Sequence, residues 1–250
     1  MYHLELLSVL VLKELRVRYK SSVLGYLWAV TNPFAFALVY YIAFKLILRV
    51  EMDNYAIFLL SGMFPWIWIS NSLHASTSCF RNNVSLVKYV SLPRYILPLS
   101  NVAHETIHFF FALPILVLFI VFSGGELFIS WIWQVPILIV LQFVLLYPFA
   151  LMLALANVLV HDVEYLVGIS LSMLFFLTPI VYPVDMIPED FQFYLDLSPL
   201  SSLIQLWHGV ILHGEFEPFD LLQPLAIALV GSYLAWIWYA KVNRKLGELL

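Results

Sequence analysis

Six stretches of this chain are long enough to cross a bilayer and, apart from one interrupting glutamate, carry no Asp, Glu, Lys or Arg. They are Ser21–Phe44, Asn54–Phe80, Thr106–Gly125 (extended upstream across Glu105 to Tyr95), Leu127–His161, Tyr165–Val184 and Leu221–Ala240. About 20 apolar residues in a helix span the hydrocarbon core. Lipid offers no partner to backbone N–H and C=O groups, so each stretch must pair its own, and that selects helices. Strands of a membrane barrel would instead alternate over about ten residues. Only 11% of the 250 residues are charged and 63% are hydrophobic, against roughly 25% charged in an ordinary soluble domain. A soluble chain of this size buries about 75% of its surface, too little to hide this apolar content. The composition excludes a disordered chain and a basic nucleic-acid-binding protein. The single cysteine, Cys79, excludes an intrachain disulfide.

A seventh window, Leu197–Gly214, is 18 residues long and holds Ser198, Pro199, Ser201, Ser202, His208, Gly209, His213 and Gly214. That is polar for a lipid-facing span, and it reads as a re-entrant or interfacial hairpin. Charge supports the choice. With six spans, ten of the 12 basic residues fall in the N-terminal segment (Lys13, Arg16, Arg18, Lys20), the loop after span two (Arg81, Lys88, Arg94) and the tail (Lys241, Arg244, Lys245). These three regions share one side, which the accumulation of Lys and Arg marks as cytoplasmic. The other side holds residues 185–220, with seven acidic residues and no Lys or Arg. Lys45 and Arg49 are exceptions near Glu51 and Asp53. The sequence thus predicts an all-α integral membrane fold in one domain, 1–250, with both termini in the cytoplasm. Its parts are an amphipathic interfacial helix at 1–20, six transmembrane helices, a cytoplasmic loop at 81–94 and an extracytoplasmic segment at 185–220 with the hairpin before the sixth helix. Met1–Lys20 does not read as a cleavable signal, because its apolar residues precede its charges and no small-residue cleavage site follows.

Several motifs bear on chemistry. His104-Glu105-Thr106-Ile107-His108 places two histidines at i and i+4, where both could face a zinc ion with Glu105 as general base. This is the signature of an intramembrane metalloprotease, and it requires a third protein ligand. The alternative is a polar cluster of His104, Glu105 and His108 tying helices together or lining a path. A carboxylate at the centre of a membrane helix costs about 2.5–3.5 kcal/mol on insertion scales, so Glu105 must face protein or water. No G-x-S-x-G and no G-x-x-x-x-G-K-[ST] occurs, so ATP-driven work would need hydrolysis on a second polypeptide. Aromatic rings and sugar rings present matching C–H and hydroxyl patches. Phe36, Tyr40 and Tyr41 in span one and Phe175, Phe176 and Tyr182 in span five are therefore candidates for lining a passage, with interfacial anchoring as the alternative for aromatics near span ends. The loop Arg81–Arg94 contains a short run, Val84–Val90, able to form a helix, and Pro93 closes the loop. It reads as a docking element for a cytoplasmic partner, with Arg81, Lys88 and Arg94 available to acidic groups, or else as a solvated turn.

The motifs in order resemble one family. Leu15-Arg16-Val17-Arg18-Tyr19-Lys20, Ser22-Val23-Leu24-Gly25, Trp28 and Asn32-Pro33 come first. Leu86-Val87-Lys88, Leu92-Pro93-Arg94 and Leu97-Pro98-Leu99-Ser100 follow. Then come Asn157-Val158 with Asp162, Thr178-Pro179-Ile180-Val181-Tyr182-Pro183 with Ile187-Pro188, and Ser198-Pro199-Leu200 with Gly209 and Gly214. Together they resemble the polysaccharide-exporting branch of the ABC-2 type permeases over nearly the whole chain. Where that family commonly has Arg before the Asp of the fourth connection this chain has His161, and Ser198 and His208 stand where Asn and Arg are common. The resemblance implies a homodimer in the plasma (inner) membrane, paired with two nucleotide-binding ATPase subunits. ATP and Mg would sit on the partner, and no cofactor on this chain. The substrate would be a lipid-linked O-antigen, capsular or teichoic polymer, with a lipid or small molecule as the alternative cargo. It also implies coupling to the ATPase through Arg81, Lys88, Pro93 and Arg94, and an outer gate containing Ser198, Pro199 and His208.

Overall fold

A computed structural model describes residues 2–19, 31, 34–35, 38–47, 49, 52 and 54–249. Most of the first predicted span, Phe36 included, lies outside the described residues. Every regular element among the described residues is helical. We number the main helices α1 (Tyr2–Tyr19), α2 (Tyr55–Thr77), α3 (Val84–Tyr89), α4 (Ile96–Phe122), α5 (Trp131–Leu159), α6 (Val163–Leu177), α7 (Glu189–Leu197), α8 (Pro199–His208) and α9 (Leu222–Val242). A π-helical turn covers Tyr41–Ile47 before α2.

Four stretches among the described residues are apolar and long enough to cross a membrane: Tyr55–Thr77, Ile96–Phe122, Trp131–Leu159 and Pro218–Val242. At 1.5 Å per residue even the shortest of these exceeds the hydrocarbon core, about 30 Å thick. The fifth predicted window differs from expectation. Expected to run to Val184, its helix α6 stops at Leu177 after 15 residues, about 22 Å of rise. The cause is local. Thr178 precedes Pro179 and adopts φ −94, ψ 138, the extended conformation that a following proline imposes. Other prolines sit within helices, Pro65 in α2, Pro114 in α4 and Pro136 and Pro148 in α5. Neighbouring helices make them tolerable; the Pro65 carbonyl, for one, accepts a hydrogen bond from Gln142 Nε2 at 3.0 Å.

Helix α2 is the hub. Its buried residues run from Tyr55 to Thr77 on nearly every face, and it packs against α4, α5, α6 and α8. Trp68 stacks on Phe109 of α4, whose ring meets Trp207 of α8 edge-on. A second apolar cluster forms at one end of the bundle, from Leu10, Cys79, Phe80, Val87, Ile96, Leu97, Leu151, Leu155, Tyr239 and Leu246. It gathers the three basic regions. His3 Nδ1 lies 2.8 Å from the Tyr95 hydroxyl, Lys13 Nζ donates to Asn83 Oδ1 at 3.0 Å, and the Arg94 guanidinium donates to the Asn243 carbonyl. Helix α1 is docked on protein through Leu10 and Val11, while Leu4, Val9 and Leu12 face outward. At the opposite end the start of α2 meets the turn after α6, where the Tyr55 hydroxyl donates to the Val181 carbonyl at 2.7 Å.

Candidate functional site

Helices α2 and α6 leave between them a cleft of about 460 Å³. Spacing by four puts Trp66, Ser70 and His74 on one face of α2, and Gly168, Ser172 and Phe176 on one face of α6. All six line the cleft, together with Tyr40, Asn71 and Phe175. One wall is aromatic: the Phe175 ring centroid is 5.1 Å from Tyr40, 5.9 Å from Trp66 and 5.1 Å from Phe176. The polar groups of Ser70, Asn71, His74 and Ser172 interrupt the rest. A flat apolar face beside convergent hydrogen-bonding groups is the chemistry that holds a sugar ring. Of the aromatics singled out in the sequence, Tyr40, Phe175 and Phe176 thus share one cleft. Tyr41 packs against Tyr55 instead, at 6.2 Å, and the Tyr182 hydroxyl donates to the Phe176 carbonyl at 2.6 Å. The sequence reading missed Trp66 and Asn71, although the four-residue spacing of Trp66, Ser70 and His74 was open to view.

Asn71 links this cleft to the histidine motif. Its Nδ2 donates to Glu105 Oε2 at 3.1 Å, Glu105 Oε1 lies 3.2 Å from His104 Nδ1, and the His104 and His108 Nε2 atoms are 3.2 Å apart. His104, Glu105 and His108 are all buried. Their ligand-type atoms lie within 4.8 Å of one another, but among the described residues no further His, Cys, Asp or Glu joins them. A catalytic zinc needs three protein ligands and an open position. Glu105 is engaged by Asn71 of α2 and by His104 of its own helix, so one side-chain hydrogen bond joins the trio to α2.

The segment expected to be a polar hairpin is deeply packed. Ser198 caps α8 by accepting from the Ser201 N–H, and Pro199 takes the first helical position. Leu203, Ile204, Trp207 and Val210 are buried. A π-helical turn, Gly209–His213, follows, and the chain reverses at Gly214 with φ 68. A side chain there would suffer the left-handed backbone and also meet the Phe128 ring at 2.4 Å. Helix α5 holds the segment. Trp207 Nε1 donates to Gln142 Oε1 at 2.8 Å, Trp131 Nε1 to the Val210 carbonyl at 2.7 Å, and Gln134 Nε2 and Ser130 Oγ to the Gly214 carbonyl at 2.9 and 2.8 Å. His208 braces the other side. Its Nε2 lies 3.1 Å from the Pro179 carbonyl oxygen and its Nδ1 2.9 Å from Ser61 Oγ, while the ring lies flat on Phe58 at 4.1 Å. Gly62 makes the room, since a Cβ there would sit 2.8 Å from the imidazole.

Burial pushes the His208 pKa down to about 4, against the partial opposing effect of the Pro179 carbonyl. The folded protein therefore binds fewer protons than the unfolded chain between about pH 6.5 and 4, and stability falls as pH falls through that window. Thermal melts of purified protein should show His208→Gln less stable than the parent at pH 7.5, with the gap narrowing by pH 5. A gap of constant size would contradict the burial of a neutral imidazole.

At the basic end, α3 presents Lys88 with Tyr89, which is 84% exposed, and Val90. Arg94 is engaged within the chain, donating to the Asn243 carbonyl and Oδ1 and to the Val87 carbonyl. It lines a cleft of about 560 Å³ with Pro93, Tyr239 and Arg244. Arg81 lines a separate cleft with His161 and Glu164. Cys79 is buried, which pushes its thiol pKa up and leaves it unreactive.

Known proteins share this sequence pattern. Residues 5–212 match the family described as ABC-2 type transporter. An O-antigen export system permease protein RfbA of Klebsiella pneumoniae is 39% identical over 251 residues, covering 100% of this chain and 96% of that protein. An RfbA permease of Myxococcus xanthus is 30% identical, covering 92% of this chain and 88% of its own length. The polysialic acid transport protein KpsM of Escherichia coli is 26% identical, covering 88% of this chain and 86% of that protein.

Proposed function

The chain belongs to the ABC-2 type transporter family, and from that premise we propose that it is the permease subunit of an ATP-driven exporter of lipid-linked polysaccharide, O-antigen or a similar polymer. The observation that carries this reading is the end-to-end similarity to O-antigen export permeases. The cleft between α2 and α6 supplies matching chemistry, since its ring wall suits sugar faces and its polar groups suit hydroxyls. The chain is a transporter subunit, not an enzyme, and the metalloprotease reading of His104, Glu105 and His108 gives way to the family match over residues 5–212.

In this proposal six helices cross the inner membrane. The first is the window expected at residues 21–44, most of which lies outside the described residues, and α6 with the turn after it makes the fifth. The α7–α8 hairpin dips in from the outside as a gate, consistent with the burial of α8 and its bonds to α5. Both termini are cytoplasmic, in keeping with the contacts that gather the basic segments at one end. Two copies form the passage, with Tyr40, Phe175 and Phe176 on its wall. Two ATPase subunits, carrying the ATP and Mg, dock at α3 and the Arg81–Arg94 loop. Their closure would push α3, and Arg94 would carry the push to the end of α9 through Asn243.

Reconstitution with the ATP-binding partner tests the function. Lipid-linked polysaccharide added outside proteoliposomes holding outward-facing partner should become protected from glycosidase when ATP is supplied. ATP consumed with the polymer left accessible would overturn the reading.

A further inference from the structure

We propose that Asn71 is a sugar-hydroxyl contact in the cleft between α2 and α6, and that Glu105 is a positioning residue which holds its amide without touching the polymer. The inference deepens the polysaccharide-export reading and rests on it.

Asn71 belongs to two environments at once. It lines the cleft, and its Nδ2 donates to Glu105 Oε2 at 3.1 Å. A side-chain amide has one donating end and one accepting end. Glu105 takes the amide nitrogen of Asn71, and the planar geometry turns Oδ1 away from Glu105. Asn71 is one of the residues that line the cleft. An acceptor there meets hydroxyl donors, which every sugar ring carries around its rim while its C–H face lies on an aromatic ring. Phe175, Trp66 and Tyr40 supply that aromatic wall in the same cleft.

The backing of Glu105 is more elaborate than a helix tie requires. Glu105 is 3% exposed, in a helix long and apolar enough to span a membrane. A carboxylate in such a place is retained only where it serves a purpose. Its second oxygen is fixed by His104 Nδ1 at 3.2 Å, and His104 in turn faces His108 Nε2 at 3.2 Å. The chain His108–His104–Glu105–Asn71 thus fixes one rotamer after another and ends at the cleft. A hydrogen-bonding group held in place before the ligand arrives loses less entropy on binding it.

The test uses the complex with its ATP-binding partner in nanodiscs. The probe is lipid-linked polysaccharide extracted from a strain of the source organism deleted for this chain. The readout is the polymer concentration that half-stimulates ATP hydrolysis. Asn71→Leu should raise it roughly five- to tenfold, the scale of one hydrogen bond, with Asn71→Ala standing in if the leucine variant fails to assemble. Glu105→Leu should match it, whereas Glu105→Gln, whose Oε1 still accepts from Asn71, should stay close to the parent. The Asn71→Leu, Glu105→Leu double variant should be no worse than either single change. An unshifted Asn71→Leu, an additive double variant, or a Glu105→Gln as impaired as Glu105→Leu would each overturn the assignment. Phe175→Ala separates the two levels. If it shifts the readout while Asn71→Leu does not, the aromatic path stands and the Asn71 role falls. If polymer stimulates none of the proteins, the export reading itself falls.

Discussion

Trp207→Ala is expected to remove most of the folded protein. The Trp207 side chain is 1% exposed and is wedged edge-on against Phe109 at 5.0 Å, which itself stacks on Trp68. Its indole N–H donates to Gln142, whose amide nitrogen donates to the Pro65 carbonyl. One residue therefore links α8, α4, α5 and α2. Truncating a buried tryptophan to alanine costs about 3–5 kcal/mol. The stranded Gln142 oxygen adds about 1–3 kcal/mol. Against a total stability of about 5–15 kcal/mol, that is a large fraction. Thermal melts in detergent should show the loss directly. Trp236, 61% exposed on α9, provides the control: Trp236→Ala should melt within a few degrees of the parent. Equal melting of Trp207→Ala and the parent would contradict the wedge.

Tyr89→Asp and Lys88→Glu are expected to break the complex with the ATPase while leaving the permease folded. Tyr89 and Lys88 stand at the tip of α3 and contribute to no buried cluster, so neither change opens a cavity. Exposed aromatic anchors are the residues that dominate protein interfaces, commonly by about 2 kcal/mol or more, or roughly 30-fold in affinity. Reversing the charge of Lys88 adds repulsion toward an acidic partner surface. Co-purification should drop sharply for both variants, with melting behaviour unchanged. Arg94→Ala would act differently, loosening α3 from the end of α9 through the lost bonds to Asn243. Undiminished co-purification of Tyr89→Asp would remove α3 from the docking surface.

The features legible in the sequence were those that depend on lipid or on charge. Long uncharged windows mark helices because the bilayer forbids unpaired backbone. The helix seen at Val84–Tyr89 within the basic loop was expected from its short apolar run. Clustering of the N-terminal, loop and C-terminal segments at one end follows from where the Lys and Arg fall. Helix boundaries were less legible. The Thr178-Pro179 pair was plainly visible, yet its power to stop α6 depends on neighbours supplying the turn after it, as Tyr55 does through Val181. The deep packing of α8 was missed because Ser198, Ser201, Ser202 and His208 read as polar, while Ser61, the partner of His208, Gln223, the partner of Ser202, and Gln142, the partner of Trp207, lie on other elements. Asn71 was missed for the same reason: nothing near it in sequence announces Glu105. Pairing across helices is a property of the fold, and a single sequence shows only one side of each pair at a time.

In the proposed topology α3 faces the ATP-bearing side of the membrane and the segment before α9 faces the other. Cys79 is the one native cysteine, so a Cys79→Ala background accepts single reporters. Lys88→Cys and Phe219→Cys place them on exposed residues at opposite ends. Treated with a membrane-impermeant maleimide, cells with a permeable outer membrane and an intact inner one should label the Phe219→Cys protein at once, and the Lys88→Cys protein only after the inner membrane is opened. Labelling at position 88 with the inner membrane sealed would contradict the account.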